Sequence, residues 1–117
     1  MAKFMFLQRG GCEERPEMTP AQMKAGMKAW MDWVSEGQRD GWLIDPGSPL
    51  GGTGAVVHPD HTVTDGPFAE SKELVGGYTI IEADDLASAC EFARQTVKLA
   101  GGGRIEVRPF ANVGEEL

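Results

Sequence analysis

Basic residues are scarce in this chain. Eleven lysines and arginines stand against 18 aspartates and glutamates, a formal net charge of −7. The basic residues are scattered, with no cluster and no aromatic-interleaved stripe. Such a surface repels a phosphate backbone on average, so no nucleic-acid partner is expected. Cysteine is sparse too. Cys12 and Cys90 are the only two, too few for a disulfide framework. The neighbours of Cys12, Glu13 and Glu14, disfavour a thiolate nucleophile there. The histidines are His58 and His61, flanking Pro59-Asp60. A metal site needs converging ligands and a supporting shell, and a hairpin tip rarely supplies them, so no metal is expected. No apolar run is long enough to span a bilayer. Residues 1–9 lack a secretory h-region and read as a first strand, which points to the cytoplasm.

What is present suits one folded domain over residues 1–117. The hydrophobic fraction is 41%, that of a globular protein. Residues 3–8 are β-like, with Phe4 and Phe6 on one side and Met5 and Leu7 on the other. Thr19-Pro20-Ala21-Gln22 announces a helix: a capping threonine, a proline at the first helical position and a glutamine completing a capping box. That helix is expected over residues 20–39, stopped by Gly41. Met23, Met27, Trp30 and Val34 recur at helical spacing, with Met31 beside them, and read as its core stripe. A short strand over residues 42–45 and a Gly/Pro/Ser loop over 45–54 follow. Residues 55–58 and 62–64 read as two arms of a hairpin around Pro59-Asp60. Residues 78–82 form a strong strand, apolar on both faces apart from Thr79. Asp84 or Asp85 caps a second helix with a buried stripe of Leu86, Ala89, Cys90, Ala93 and Val97. Residues 104–108 close the pattern as a strand, with Ile105 and Val107 on one face and Glu106 and Arg108 on the other.

The order is β-α-β, a hairpin, then β-α-β. This predicts an α+β fold of the ferredoxin-like split βαβ type with an inserted β-hairpin. Its antiparallel sheet would carry both helices on one face. Several strands are nevertheless apolar on both faces. A bare apolar sheet face is unusual for a soluble monomer. A second copy packing sheet to sheet would cover it, so a homodimer enclosing a cavity is expected.

Asp65-Gly66-Pro67-Phe68-Ala69-Glu70-Ser71-Lys72-Glu73, followed by Gly76-Gly77-Tyr78, resembles the motif of the YCII-related (DGPF domain) family. Val107-Arg108-Pro109 resembles that family's last strand, and the element order agrees from Lys3 to Phe110. The resemblance implies a dimeric α+β barrel, two ferredoxin-like protomers joined through their sheets. It implies little about chemistry. Some similar proteins occur beside, or fused to, extracytoplasmic-function sigma factors, yet nothing here looks like a DNA-reading element. A shorter branch of the superfamily resembles an enzyme with a His–Asp pair. Gln22 stands where that histidine would be, and the dyad is not carried over.

The candidate site residues follow from chemistry. Asp65, at a strand end, has two readings: a general acid or base at a dimer cavity, or a turn carboxylate bonding nearby N–H groups while Gly66 takes a positive φ. Glu70 and Lys72 are either a polar rim around a ligand or a solvated ion-paired loop. Arg108 can hold a carboxylate-bearing ligand bidentately, or pair with a glutamate at the sheet edge. Tyr78 can offer its phenol to a ligand, or pack with its hydroxyl satisfied. His58 becomes a general base if the hairpin folds over the cavity. Gly101-Gly102-Gly103 precedes a strand, so it is no phosphate loop, and no cofactor is expected. Three functions remain: small-molecule binding near Asp65, cofactor-independent proton transfer of the isomerase or lyase type, or a non-catalytic accessory or regulatory module working through its dimer surface, which the absence of a full nucleophile–base–orienter set favours.

Overall fold

The structure, a computed structural model, describes residues 2–9, 17–66, 75–100 and 103–111. Cys12, Glu70, Lys72 and the motif beyond Gly66 lie outside the described residues.

The chain runs β1 (Ala2–Arg9), α1 (Pro20–Asp40), β2 (Leu43–Asp45), β3 (Gly54–Val57), β4 (Val63–Gly66), β5 (Val75–Ala83), α2 (Leu86–Ala100) and β6 (Arg104–Pro109). Four strands form one sheet in the order β2-β5-β1-β6, and each pairing is antiparallel. Among the described residues, β3 and β4 pair only with each other. Apart from that hairpin, the order is that of the split βαβ fold the sequence predicts.

Helix α1 begins as its sequence dictates. Thr19 Oγ1 accepts from the Gln22 backbone N–H, and Gln22 Oε1 accepts from the Thr19 N–H. Two orphan donors are thereby satisfied. Gln22 thus serves the helix start, not a reacting group. Gly41 ends α1 at φ 85°, its N–H bonded to the Gly37 carbonyl. At α2, Asp85 Oδ1 accepts from the Ser88 N–H at 2.8 Å.

Phe4, Phe6, Ile81 and Ala83 project from the sheet into the core, beneath both helices. Trp33 and Val34 from α1 and Ala89 and Ala93 from α2 meet them. Trp30, Trp33, Trp42 and Phe92 form a chain of ring contacts with centroid separations of 5.1, 5.0 and 4.2 Å. The one polar end of Trp33 is satisfied: its Nε1 donates to Gln95 Oε1. Thr79, buried on the same side, donates its hydroxyl to the Pro46 carbonyl.

Two stripes differ from expectation. On α1, Met23, Met27 and Met31 are exposed, and the buried line is Trp33, Val34 and Gly37. The reason is Gly37. It lets α1 approach so closely that a Cβ there would lie 2.8 Å from Leu43 Cβ. The face carrying Gly37 is therefore the face that packs. On α2, Leu86 is exposed and Cys90 only half-buried, while Thr96 is buried with its hydroxyl returned to the Ala93 carbonyl.

Candidate functional site

In an antiparallel ladder, residues directly opposite share a face. Phe6 pairs with Thr79 and Val107, all turned to the helices. The alternate positions then face the other way. They form four rows: Lys3 beside Glu82; Asp45, Ile80, Met5 and Arg108; Tyr78, Leu7 and Glu106; and, past a register shift in β5, Val75, Arg9 and Arg104. Neither helix covers this face. It is an apolar centre of Met5, Leu7, Ile80 and the Tyr78 ring, bordered by charge.

That border is ordered by an ion pair. Arg9 Nη2 lies 2.8 Å from Glu106 Oε1. The bond from Arg9, with the fields of Arg9 and Arg108, holds the Glu106 carboxyl below its ordinary value; partial desolvation opposes this. Arg108 makes no hydrogen bond among the described residues and is exposed. Glu106 is bonded by Arg9, and Arg108 reaches it through its field alone. Sequence reasoning missed Arg9, although it continues the alternation of Met5 and Leu7 along β1. Tyr78 is half-buried on this face, away from the helix-side core.

Asp65 lies elsewhere. It sits in β4 opposite Ala55, exposed, and its carboxylate has no hydrogen-bond partner among the described residues. Gly66 does not take a positive φ; among the described residues only His61, Gly41, Gly47 and Gly103 do. Its lack of a side chain has another cause: a Cβ would meet Val56 Cγ2 at 2.6 Å. His58 Nε2 lies 2.9 Å from Thr64 Oγ1. Thr64 and Asp65 alternate along β4, so His58 and Asp65 occupy opposite faces of the hairpin. The tip is tied by Asp60 Oδ1, which accepts from the Thr62 hydroxyl and backbone N–H. Those two bonds lower the Asp60 carboxyl's pKa.

Within one chain, then, the candidates fall in two groups. Tyr78 and Arg108 share the open sheet face, while Asp65 and His58 ride on a hairpin that contacts no other helix or strand among the described residues. No three His, Cys, Asp or Glu side chains converge as metal ligands among the described residues. A separate groove of about 290 Å³ lies on the helix side, lined by Cys90, Ala93, Arg94, Val97, Ile105 and Val107. The open face can seat a flat apolar ring on Met5, Leu7 and Ile80, with a guanidinium and a phenol at its edge for an acidic or carbonyl substituent.

Residues 11–111 match the family model of the YCII-related domain. No curated protein matches the chain. Among solved structures the chain is similar to 5-chloro-2-hydroxyhydroquinone dehydrochlorinase (TftG) from Burkholderia phenoliruptrix AC1100, in complex with 2,5-dihydroxybenzoquinone. The two share 16% identity over 93% of each chain, with a TM-score of 0.53. At that identity the likeness is one of fold.

Proposed function

The chain belongs to the YCII-related domain family, a family of dimeric α+β barrels, and from that premise we propose that it self-associates through the open sheet face and binds a small ring compound there. The observation that carries this reading is the row arrangement itself. An apolar centre of Met5, Leu7 and Ile80, each half-buried within the sheet, is covered by neither helix and is rimmed by Tyr78 and Arg108. Covering apolar area is the dominant drive for association. Enclosing the face also strengthens any bond from Arg108 to an anionic ligand, because the site loses water. The ligand class is a small aromatic or quinonoid compound with an acidic substituent. No helix among the described residues is long and apolar enough to cross a membrane, and the proposed setting is the cytoplasm.

Light scattering and thermal-shift measurements test this together. The wild type should sediment and scatter as a dimer at micromolar concentration. Ile80→Asp should release monomers, because it places a charge in the middle of the apolar centre. 2,5-Dihydroxybenzoquinone and a panel of aromatic acids should raise the melting temperature of the wild type, and less so of Arg108→Gln. A wild-type monomer, or no shift from the whole panel, sinks the reading.

A second reading is catalytic, and one observation favours it: the Asp65 carboxylate is exposed and has no bonded partner among the described residues. Such a group can take a proton from a carbon beside a carbonyl. The electron pair moves to the carbonyl oxygen, then returns either to pick up a proton elsewhere or to expel a leaving group. No cofactor is required. Loss of turnover in Asp65→Asn with retained ligand binding would distinguish this from binding alone.

A further inference from the structure

The β3–β4 hairpin poses a problem of support. A lone two-stranded hairpin is marginal in water and needs further strands or a packed surface to persist. This one contacts no other helix or strand among the described residues of its own chain. Its cross-strand register puts Val57 opposite Val63 and Ala55 opposite Asp65. These four share one face. Val57 is 71% exposed and Val63 62%, so that face presents two bare valines and a carboxylate with no partner among the described residues. Between Gly54 and Gly66 the hairpin carries Asp60 and Asp65 and no lysine or arginine.

The open face of the main sheet has the complementary character. Its centre is apolar. Around it stand Lys3, Arg9, Arg104 and Arg108 against Asp45, Glu82 and Glu106, a slight local excess of cations on a chain of net charge −7. Arg108, at the β6 edge, is an exposed cation of this rim with no ion pair among the described residues.

We propose that the hairpin is an arm that docks on a second copy of this chain, its Val57, Val63 and Asp65 face against the partner's open sheet face, so that Asp65 of one protomer meets Arg108 of the other. This rests on the self-association proposed above and deepens it. The ligand site is then composite: Tyr78 and Arg108 come from one protomer and Asp65 from the other. Two-fold symmetry makes the contact twice per dimer. It also explains why the chain separates its candidate groups into two sets that do not meet in cis. His58, on the opposite face of the arm and bonded to Thr64, stays outside this site and holds the hairpin together.

Charge swaps read the contact directly. In Asp65→Arg homodimers both contacts set arginine against arginine, and in Arg108→Asp homodimers aspartate against aspartate. Each variant alone should self-associate about tenfold more weakly than the wild type, since like charges across an interface are costly. An equimolar mixture restores both contacts in one heterodimer. One contact then sets the introduced arginine against the introduced aspartate, and the other keeps the native pair of Asp65 and Arg108. Native mass spectrometry of differently sized chains should show that heterodimer in excess over both homodimers. Both positions are exposed, and circular dichroism should confirm that each variant is folded. As a second readout, a short bis-maleimide should join Asp65→Cys to Arg108→Cys between two chains in a Cys12→Ser, Cys90→Ser background. A dimer indifferent to the swaps, with no heterodimer preference and no interchain cross-link, overturns the arm and leaves self-association standing. A wild-type monomer overturns both.

Discussion

Gly47 passes directly over the Tyr78 carbonyl, so closely that a Cβ on Gly47 would overlap that oxygen. Its φ is 73°, a region that side chains disfavour. Asp45 Oδ1 fixes the turn by accepting from the Gly47 N–H at 2.8 Å. From there the chain follows the outer edge of β5, with Pro49 bridged to Gly77 and the Leu50 N–H bonded to the Gly76 carbonyl. The crossing therefore seals that edge of the sheet and sets the backbone of a candidate ligand residue. Gly47→Ala combines a strained φ with a backbone clash and should cost about 3 kcal/mol or more. Urea unfolding checks this, and a cost under about 0.5 kcal/mol would mean that the crossing relaxes freely.

The two faces of α1 should answer substitution very differently. Trp33→Ala empties the middle of the aromatic chain, at a cost of about 3–5 kcal/mol. Met27→Gln on the exposed stripe should change stability by no more than about 0.5 kcal/mol. Denaturant midpoints of the two variants decide between this assignment and a methionine core.

That contrast shows what could be read from the residues. Caps, stops and strand alternation are local signals, and they placed Thr19, Gly41, Asp85 and the β6 pattern close to where they stand. The packing face of α1 is not local. Met23, Met27 and Met31 keep helical spacing as well as Trp33, Val34 and Gly37 do, and only the close approach to Leu43 chooses between them. The site was partly legible for the same reason. Alternation put Arg108 and Glu106 on one face, but the pairing of Glu106 with Arg9 needs the register of β1 against β6. The detachment of the hairpin from the other described elements leaves no mark in composition, because its valines alternate as those of a docked strand would.

Asp85 makes acid stability at the start of α2 predictable in sign. Its carboxylate accepts the Ser88 backbone N–H, and bonds from Ser88 hold its pKa below the ordinary value of 3.8. A depressed carboxyl contributes stability that is present above its unfolded value and lost as pH falls through the folded one. Helix α2 should therefore be fully capped at neutral pH and should weaken only below about pH 4. Asp85→Asn should flatten this portion of the acid limb in circular-dichroism melts. An unchanged limb would show that other carboxylates set it.

Gly66 offers a test of what the Asp-Gly step of the motif is for. It stands at the end of β4 without a positive φ, and the space a Cβ would need is taken by Val56 Cγ2 at 2.6 Å. A requirement for turn geometry would make Gly66→Ala costly whatever the neighbour. A requirement for room makes it costly only while Val56 keeps its methyls. Gly66→Ala alone should therefore loosen the β3–β4 pairing by about 1 kcal/mol, or roughly fivefold faster exchange of its ladder amides. Gly66→Ala combined with Val56→Ala should recover most of that protection, since the two residues share one contact and couple. Hydrogen exchange across residues 54–66 reads the pairing without demanding that the whole fold respond. Equal loosening in the single and double variants would return the glycine to a purely conformational role.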